Sequence, residues 1–246
     1  MSSTCTTVDE FLECIRVSVA DKDIECLHWE DSDLIKHINE GLNMLLMADP
    51  GIFSEDVSIT LSEGSCQELP QPYLELVKIK SNVSVASSGQ EIEGDSIQEA
   101  DYDLISSFSK PSCVDKLSNN KAHTISSYGM STVNKTSFNV SPAVPAGSSA
   151  TVKATVVTSP CSFNNNNRTE CLGIDPRYQP ALMEWVLYRA LTADFESNRN
   201  TELGTRHAQT FYAMMGLTYL QESRLNSGYY KGEPGEDPRL SYRWNR

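Results

Sequence analysis

Residues 31–61 read DSDLIKHINEGLNMLLMADPGIFSEDVSITL, and two different periodicities meet inside this stretch. Leu34, Ile35, Ile38, Leu42, Leu45 and Leu46 recur at three- and four-residue steps, the spacing of one face of an α-helix. Ser32 stands where a helix N-cap is needed, and Asp49-Pro50 halts the run because proline offers no backbone N–H to continue it. From Asp56 the pattern changes, with Val57, Ile59 and Leu61 alternating with polar residues as on a half-buried strand. A chain that switches from the helical to the strand period in so short a distance is neither all-helical nor all-strand. Its fold class is α+β.

The same reading extends outward in both directions. Upstream, Val8, Phe11, Leu12, Ile15 and Val19 mark an amphipathic helix over Thr7–Ala20. Downstream, Gly64-Ser65 turns the chain and Leu76–Lys80 resumes a strand-like run. Phe138–Ser141 and Ala150–Thr158 are further strands; in the second, Val152, Ala154 and Val156 share one face while Thr151, Lys153 and Thr155 share a wet one. Residues 87–135 are weakly patterned and read as loop with some strand. Asn164–Asn167 forms a polar hinge, after which Asp175-Pro176 starts a third helix with Ala181, Leu182, Trp185, Val186, Ala190 and Leu191 on its apolar face. A fourth, over Thr201–Arg224, aligns Ala208, Phe211, Tyr212, Met215 and Tyr219.

Two short helices cannot bury both apolar faces alone, so the economical packing brings helices three and four back onto one and two. The expected architecture is an antiparallel helical bundle built from residues 1–54 and 171–225, an inserted β-strand-rich domain over 55–170 and an extended C-terminal arm over 226–246. Leu34, Ile38, Leu42, Leu182, Trp185 and Phe211 are expected in the bundle core. Arg189, one turn after Trp185, is placed either to stack on that indole or to pair with a carboxylate inside the bundle. The arm, NSGYYKGEPGEDPRLSYRWNR, is too short and too broken by glycine and proline to form a core, yet it is rich in contact-making residues. Tyr229, Tyr230, Tyr242 and Trp244 offer anchors, and Arg239, Arg243 and Arg246 offer charge-assisted bonds, so the arm is expected to become ordered on a partner.

Composition narrows the function. Twenty basic against 33 acidic residues give a net charge of −13, which opposes broad contact with nucleic-acid phosphates or anionic lipid. No apolar run approaches the length of a membrane span, and Met1–Val8 lacks the pattern of a secretory leader. Seven cysteines, an odd number without a CxxC pair, argue for reduced thiols made in a cytosol. The four Asn-x-Ser/Thr matches at Asn82, Asn134, Asn139 and Asn167 then read as chance.

Enzyme signatures are missing as well. Neither GxxxxGK[ST] nor GxGxxG occurs, and Gly129-Met130-Ser131-Thr132-Val133 lacks the last glycine of a nucleophile elbow. His28, His37, His123 and His207 stand apart from one another, and Cys26-x-His28 offers only two metal ligands. The acidic run Glu91, Glu93, Asp95, Glu99, Asp101 and Asp103 fails the calcium-loop template, since a loop opening at Asp101 has no glycine at its sixth position and ends on Ser112. It reads as a solvated face. No cofactor, metal or catalytic residue is expected.

Several strings taken together are familiar. TTVDEFLECIRVSVAD, DSDLIKHINEGLNMLLMADP, ITLSEGSCQELPQPYLELVKIKSNV, FNVSPAVPAG with ATVKATVVTSP, and PALMEWVLYRALTADFES with RHAQTFYAMMGL resemble the head-to-tail adaptor proteins of short-tailed phages, in order as well as in wording. Residues 87–135 depart from that pattern and carry no tryptophan where one is expected. The resemblance implies a virion protein, synthesised in the host bacterial cytoplasm, that joins the portal protein to the tail nozzle. It implies self-association into a ring, a dodecamer, with double-stranded DNA passing through without sequence-specific binding, and with tail fibres as further neighbours. It also implies that the C-terminal arm reaches the portal. Two other classes remain open on the residues alone: another tail component or generic interaction module, and a small soluble enzyme with Asp101 and Asp103 as first suspects.

Overall fold

A computed structural model of the chain describes residues 5–21, 27–86, 89–103, 105, 124–193 and 198–216. They form four named helices and two four-stranded sheets, an α+β fold. Helices α1 (Val8–Ser18) and α2 (Asp31–Ala48) come first, followed by a 3-10 turn at Pro50–Phe53. Eight strands follow: β1 (Ser54–Leu61), β2 (Gly64–Glu68), β3 (Glu75–Val85), β4 (Glu91–Ser96), β5 (Gln98–Glu99), β6 (Ser127–Met130), β7 (Ser137–Val144) and β8 (Ala150–Val157). After a second 3-10 turn at Pro176–Tyr178 come α3 (Gln179–Ala193) and α4 (Asn198–Met214). The chain divides into two compact units, one from the described residues of Met1–Ala48 and Ser162–Arg246, the other from those of Asp49–Cys161.

In the helical unit, α1 begins at a complete capping box. Thr7 accepts from the Glu10 N–H, and the Glu10 carboxylate accepts from the Thr7 N–H. Val8, Phe11, Leu12 and Ile15 are buried along one face, while Val19 of the expected stripe is the C-cap. α2 starts at Asp31, ahead of the cap expected at Ser32. The Glu30 carbonyl receives the N–H groups of Asp33 and Leu34, and the Ser32 hydroxyl donates to the Glu30 carboxylate. Asp175 caps a 3-10 turn rather than α3 itself, its carboxylate accepting from the Arg177 N–H at 2.9 Å. α3 packs against both α2 and α4. Gly41 permits that approach, since a Cβ there would sit 2.5 Å from Leu182 Cδ1 and 2.9 Å from Trp185 Cδ1.

In the strand unit, the first sheet runs β1-β8-β3-β4, antiparallel throughout, and the second runs β2-β7-β6-β5 with only β5 and β6 parallel. Ile59, Ile79, Val152 and Ala154 of the first sheet join Tyr128, Phe138 and Val140 of the second in one apolar core. β8 keeps the expected alternation: Ala150, Val152, Ala154 and Val156 are buried, and Thr151, Lys153 and Thr155 are not. On that outer face Lys80 bonds Asp56 at 2.6 Å and Thr155 donates to Asp56 at 2.7 Å; the bond from Lys80 holds the Asp56 carboxyl below its ordinary range. Within the weakly patterned 87–135 the structure places β4, β5 and β6. Every residue of β4 is exposed, so it lacks the alternation by which a strand is recognised. Asn82, buried, ties the sheets together: its amide donates to Ile125 O at 2.8 Å, and its oxygen accepts from the Ile125 N–H at 2.8 Å.

Candidate functional site

The most elaborate polar assembly of the described residues lies in the helical unit, where the start of α1 meets the segment leading to α3. The two run antiparallel for a few residues. Leu172 N–H donates to Thr6 O at 3.1 Å, Val8 N–H to Glu170 O at 3.1 Å and Asp9 N–H to Arg168 O at 3.0 Å, with Thr7 and Cys171 directly opposed. Cys5 and Cys171 are joined by a disulfide, with 5.8 Å between their Cα atoms. The expectation of uniformly reduced thiols is therefore corrected for this pair. A short-range spacing rule does not see two cysteines 166 residues apart that a backbone ladder brings into register.

Two guanidiniums and three carboxylates complete the junction. Arg168 bonds Asp9 at 2.6 Å and Asp31 at 2.7 Å. Arg16 bonds Asp21 at 2.7 Å, pairs with the other oxygen of Asp31, and donates to Trp29 O at 3.1 Å. Asp21 in turn accepts from the His28 and Trp29 N–H groups, and the Trp29 indole donates to Ala190 O at 3.1 Å. Burial pushes the Asp31 carboxyl up, but the bonds from Arg16 and Arg168 outweigh it and hold it below its ordinary range. Burial works against the Arg168 charge too, and Asp9 and Asp31 overcome it so that its pKa rises. Asn39 reinforces the return segment from α2, donating to Phe163 O and accepting from the Phe163 N–H, both at 2.8 Å. Residues 162–170 thus pack with the helices, and Pro50–Phe53 with the sheets.

A second set of pairs lies between helices. Arg189 of α3 bonds Glu40 of α2 at 2.9 Å, which resolves its two sequence readings in favour of the carboxylate. Glu40 also meets His37 at 3.2 Å; burial raises the Glu40 carboxyl, and His37 and Arg189 more than reverse it. Burial depresses His37, against the opposing pull of Glu40. His207 of α4 meets Glu184 of α3 at 2.7 Å. Behind them Leu34, Ile38, Leu42, Leu182 and Phe211 are fully buried and Trp185 nearly so, with Phe211 edge-on to Trp185 at 5.1 Å between ring centres.

The Arg16, Arg168 and Arg189 guanidiniums are each bonded to at least one carboxylate, so the arrangement holds segments of the helical unit in place. A shallow groove of about 490 Å³ between α1 and the start of α3 is lined by Phe11, Cys14, Pro176, Pro180 and Met183. Its single carboxylate, Glu10, is engaged in the α1 capping box. Gly129 and Met130 lie on β6, in the second sheet, rather than at an exposed turn. Asp101 caps a local turn by accepting from the Asp103 N–H. Among the described residues no group of three His, Cys, Asp or Glu is placed to hold a metal, and no helix is long and apolar enough to cross a membrane. Asn82 and Asn139, two of the four sequon asparagines, are buried. The arm residues Tyr229, Tyr230, Arg239, Tyr242, Arg243, Trp244 and Arg246 lie outside the described residues. Sequence reading missed Arg16, Asp21, Asp31 and Arg168. Arg16 alone stood out as a charge within an apolar helical stripe; Asp21, Asp31 and Arg168 lie among other polar residues, where a charge gives no signal.

In this chain the polar groups described above bond one another and hold the segments of the helical unit in place. No curated protein sequence matches the chain. The SU10 adaptor protein family model matches residues 6–231, nearly the whole chain, and the protein belongs to that family. It is therefore a phage adaptor, a structural protein of the virion, in a family that is not one of enzymes.

Proposed function

We propose that this adaptor forms the ring that joins the portal to the tail nozzle around the DNA exit channel, and that it works by assembly without catalytic turnover. The observation that carries the reading is the family match, which spans both compact units and runs into the arm. About twelve copies close the ring through one repeated head-to-tail interface, the arrangement by which a heterologous contact with a closing rotation makes a cycle. The four helices act as an antiparallel bundle, the inserted strand unit adds contact surface, and residues 226–246 form the arm. That arm reaches the portal through Tyr229, Tyr230, Tyr242 and Trp244, with Arg239, Arg243 and Arg246 bonding carboxylates or carbonyls. The net charge of −13 suits a conduit that lets duplex DNA slide past, since like charge discourages phosphate contacts. Tail fibres are neighbours in the same assembly, and the chain is made in the host cytoplasm before joining the particle.

Electron microscopy of the purified chain with and without portal tests the reading directly. A ring seated on the portal is the expected image, and a chain that leaves portal particles undecorated refutes it. Particles from a null mutant are expected to be filled or leaking heads without tails. Normally tailed, infectious particles from that mutant would rule the function out.

A further inference from the structure

We propose that Cys5 and Cys171 are an oxidation-controlled staple: thiols while the chain is made in the cytoplasm, and a covalent clamp across the α1 junction once the particle has left it. The timing rests on the virion reading; the clamp itself does not. Cα atoms 5.8 Å apart fall in the range that a disulfide spans without backbone movement. That spacing is set by groups other than the sulfurs: the ladder from Thr6, Val8 and Asp9 to Leu172, Glu170 and Arg168, and the bonds of Arg168 to Asp9 and Asp31. The reduced chain therefore keeps both cysteines in register. Both are exposed, so a small oxidant reaches them. Cys14, Cys66 and Cys161 are equally exposed and free, which makes the pairing a matter of position rather than of access.

The oxidant is a low-molecular-weight disulfide, RSSR. One protein thiolate attacks a sulfur of RSSR, breaking its S–S bond and releasing RS⁻ to leave a mixed disulfide. The second protein thiolate then attacks the protein sulfur of that intermediate, releasing the other RS⁻ and forming the Cys5–Cys171 bond. Two protein thiols lose two protons and two electrons, and RSSR becomes two RSH. The closed loop takes in α1, α2 and the whole strand unit, so the beginning of α1 can no longer peel away from the segment that leads to α3. A covalent tie across so long a loop removes much of the freedom of the opened chain.

The test uses the full-length chain. Thiols are trapped with iodoacetamide inside producing cells and, separately, in released particles, and the peptides are mapped by mass spectrometry. Cys5 and Cys171 should be alkylated in cells and linked to each other in particles, with Cys14, Cys66 and Cys161 alkylated in both. A linked pair already complete in cells, or an alkylated pair in particles, overturns the proposed timing. Purified chain equilibrated in reduced and oxidised glutathione tests the clamp apart from any virion. Oxidation should raise the melting temperature by about 5 to 15 °C without changing the far-ultraviolet circular dichroism, and Cys5→Ser and Cys171→Ser should each abolish the rise. A wild-type melting temperature indifferent to glutathione overturns the staple, while a staple present in a chain missing from particles would refute the virion reading alone.

Discussion

Replacing Trp185 by alanine probes the centre of the helical unit. The indole is 7% exposed and lies edge-on to Phe211 at 5.1 Å and to Tyr188 at 5.4 Å, with Gly41 of α2 close to its Cδ1. Truncating so large a buried aromatic costs about 3 to 5 kcal/mol, because transfer free energy and contacts vanish while the cavity closes only in part. One effect opposes this. The buried indole N–H has no hydrogen-bond partner among the described residues, so its removal returns roughly 1 kcal/mol. The net expectation is about 2 to 4 kcal/mol, or a fall in melting temperature of roughly 4 to 16 °C for a chain of this size. Thermal melts followed by circular dichroism at 222 nm read it, and Trp185→Phe should recover much of the loss. Gly41→Val supplies the second arm of a cycle. Overpacking against Leu182 and Trp185 costs about 1 to 3 kcal/mol alone, and less once the indole is gone, so the double variant should be more stable than the sum of its parts. An unshifted Trp185→Ala melt, or strict additivity in the cycle, refutes the packing of α3 on α2.

Further expectations concern the polar groups and the arm. Arg168→Met leaves Asp9 without its guanidinium and Asp31 with Arg16 alone; the melting temperature should drop by several degrees, as for the loss of charge-assisted bonds worth about 1 to 3 kcal/mol, and an unchanged melt would remove the junction from the account. Asn82→Leu strands the buried Ile125 N–H and should cost the strand unit about 1 to 3 kcal/mol in urea titration, whereas a neutral result would deny Asn82 its bridging part. Acidification should weaken the fold in two steps. His37, depressed below 6.5, favours the folded state fully only above 6.5 and costs stability as pH falls from there through its folded value; Glu40 and Asp31, depressed below 4.5 and 3.8, contribute above those values and are lost as pH falls through their lower folded ones. His37→Asn should erase the first step, and a first step that persists in that variant points elsewhere. Deleting residues 228–246 should leave the melt unchanged and abolish attachment to portal-bearing heads; full occupancy by the truncated chain would move the anchor to the body.

Much of the fold could be read along the chain, and the failures have identifiable causes. α1 and the apolar face of α3 follow from side chains three and four residues apart, a distance over which helix geometry alone sets the neighbours. β8 was legible because one face is buried and one wet. β4 was not, since Glu91–Ser96 is exposed on both faces and no alternation is imposed on it. Ser32 looked like a cap, but backbone bonds to Glu30 O start the helix earlier. The arm residues lie outside the described residues, so for Tyr229, Tyr230, Tyr242 and Trp244 the aromatic and charge pattern of the sequence carries the whole proposal.

Taken alone, the sequence determined the α+β class, the helical stripes, the alternating strands and the acidic balance, because each is a local or summed property of side chains. Tertiary structure alone decided which distant residues meet. Arg168 could bond any of 33 acidic residues; the return of the chain beside α1 selects Asp9 and Asp31. Seven cysteines allow many pairings; a ladder of three backbone hydrogen bonds, with Thr7 opposite Cys171, selects Cys5 and Cys171. Contacts between residues far apart in sequence depend on how whole elements pack, and no spacing rule of a few residues carries that information.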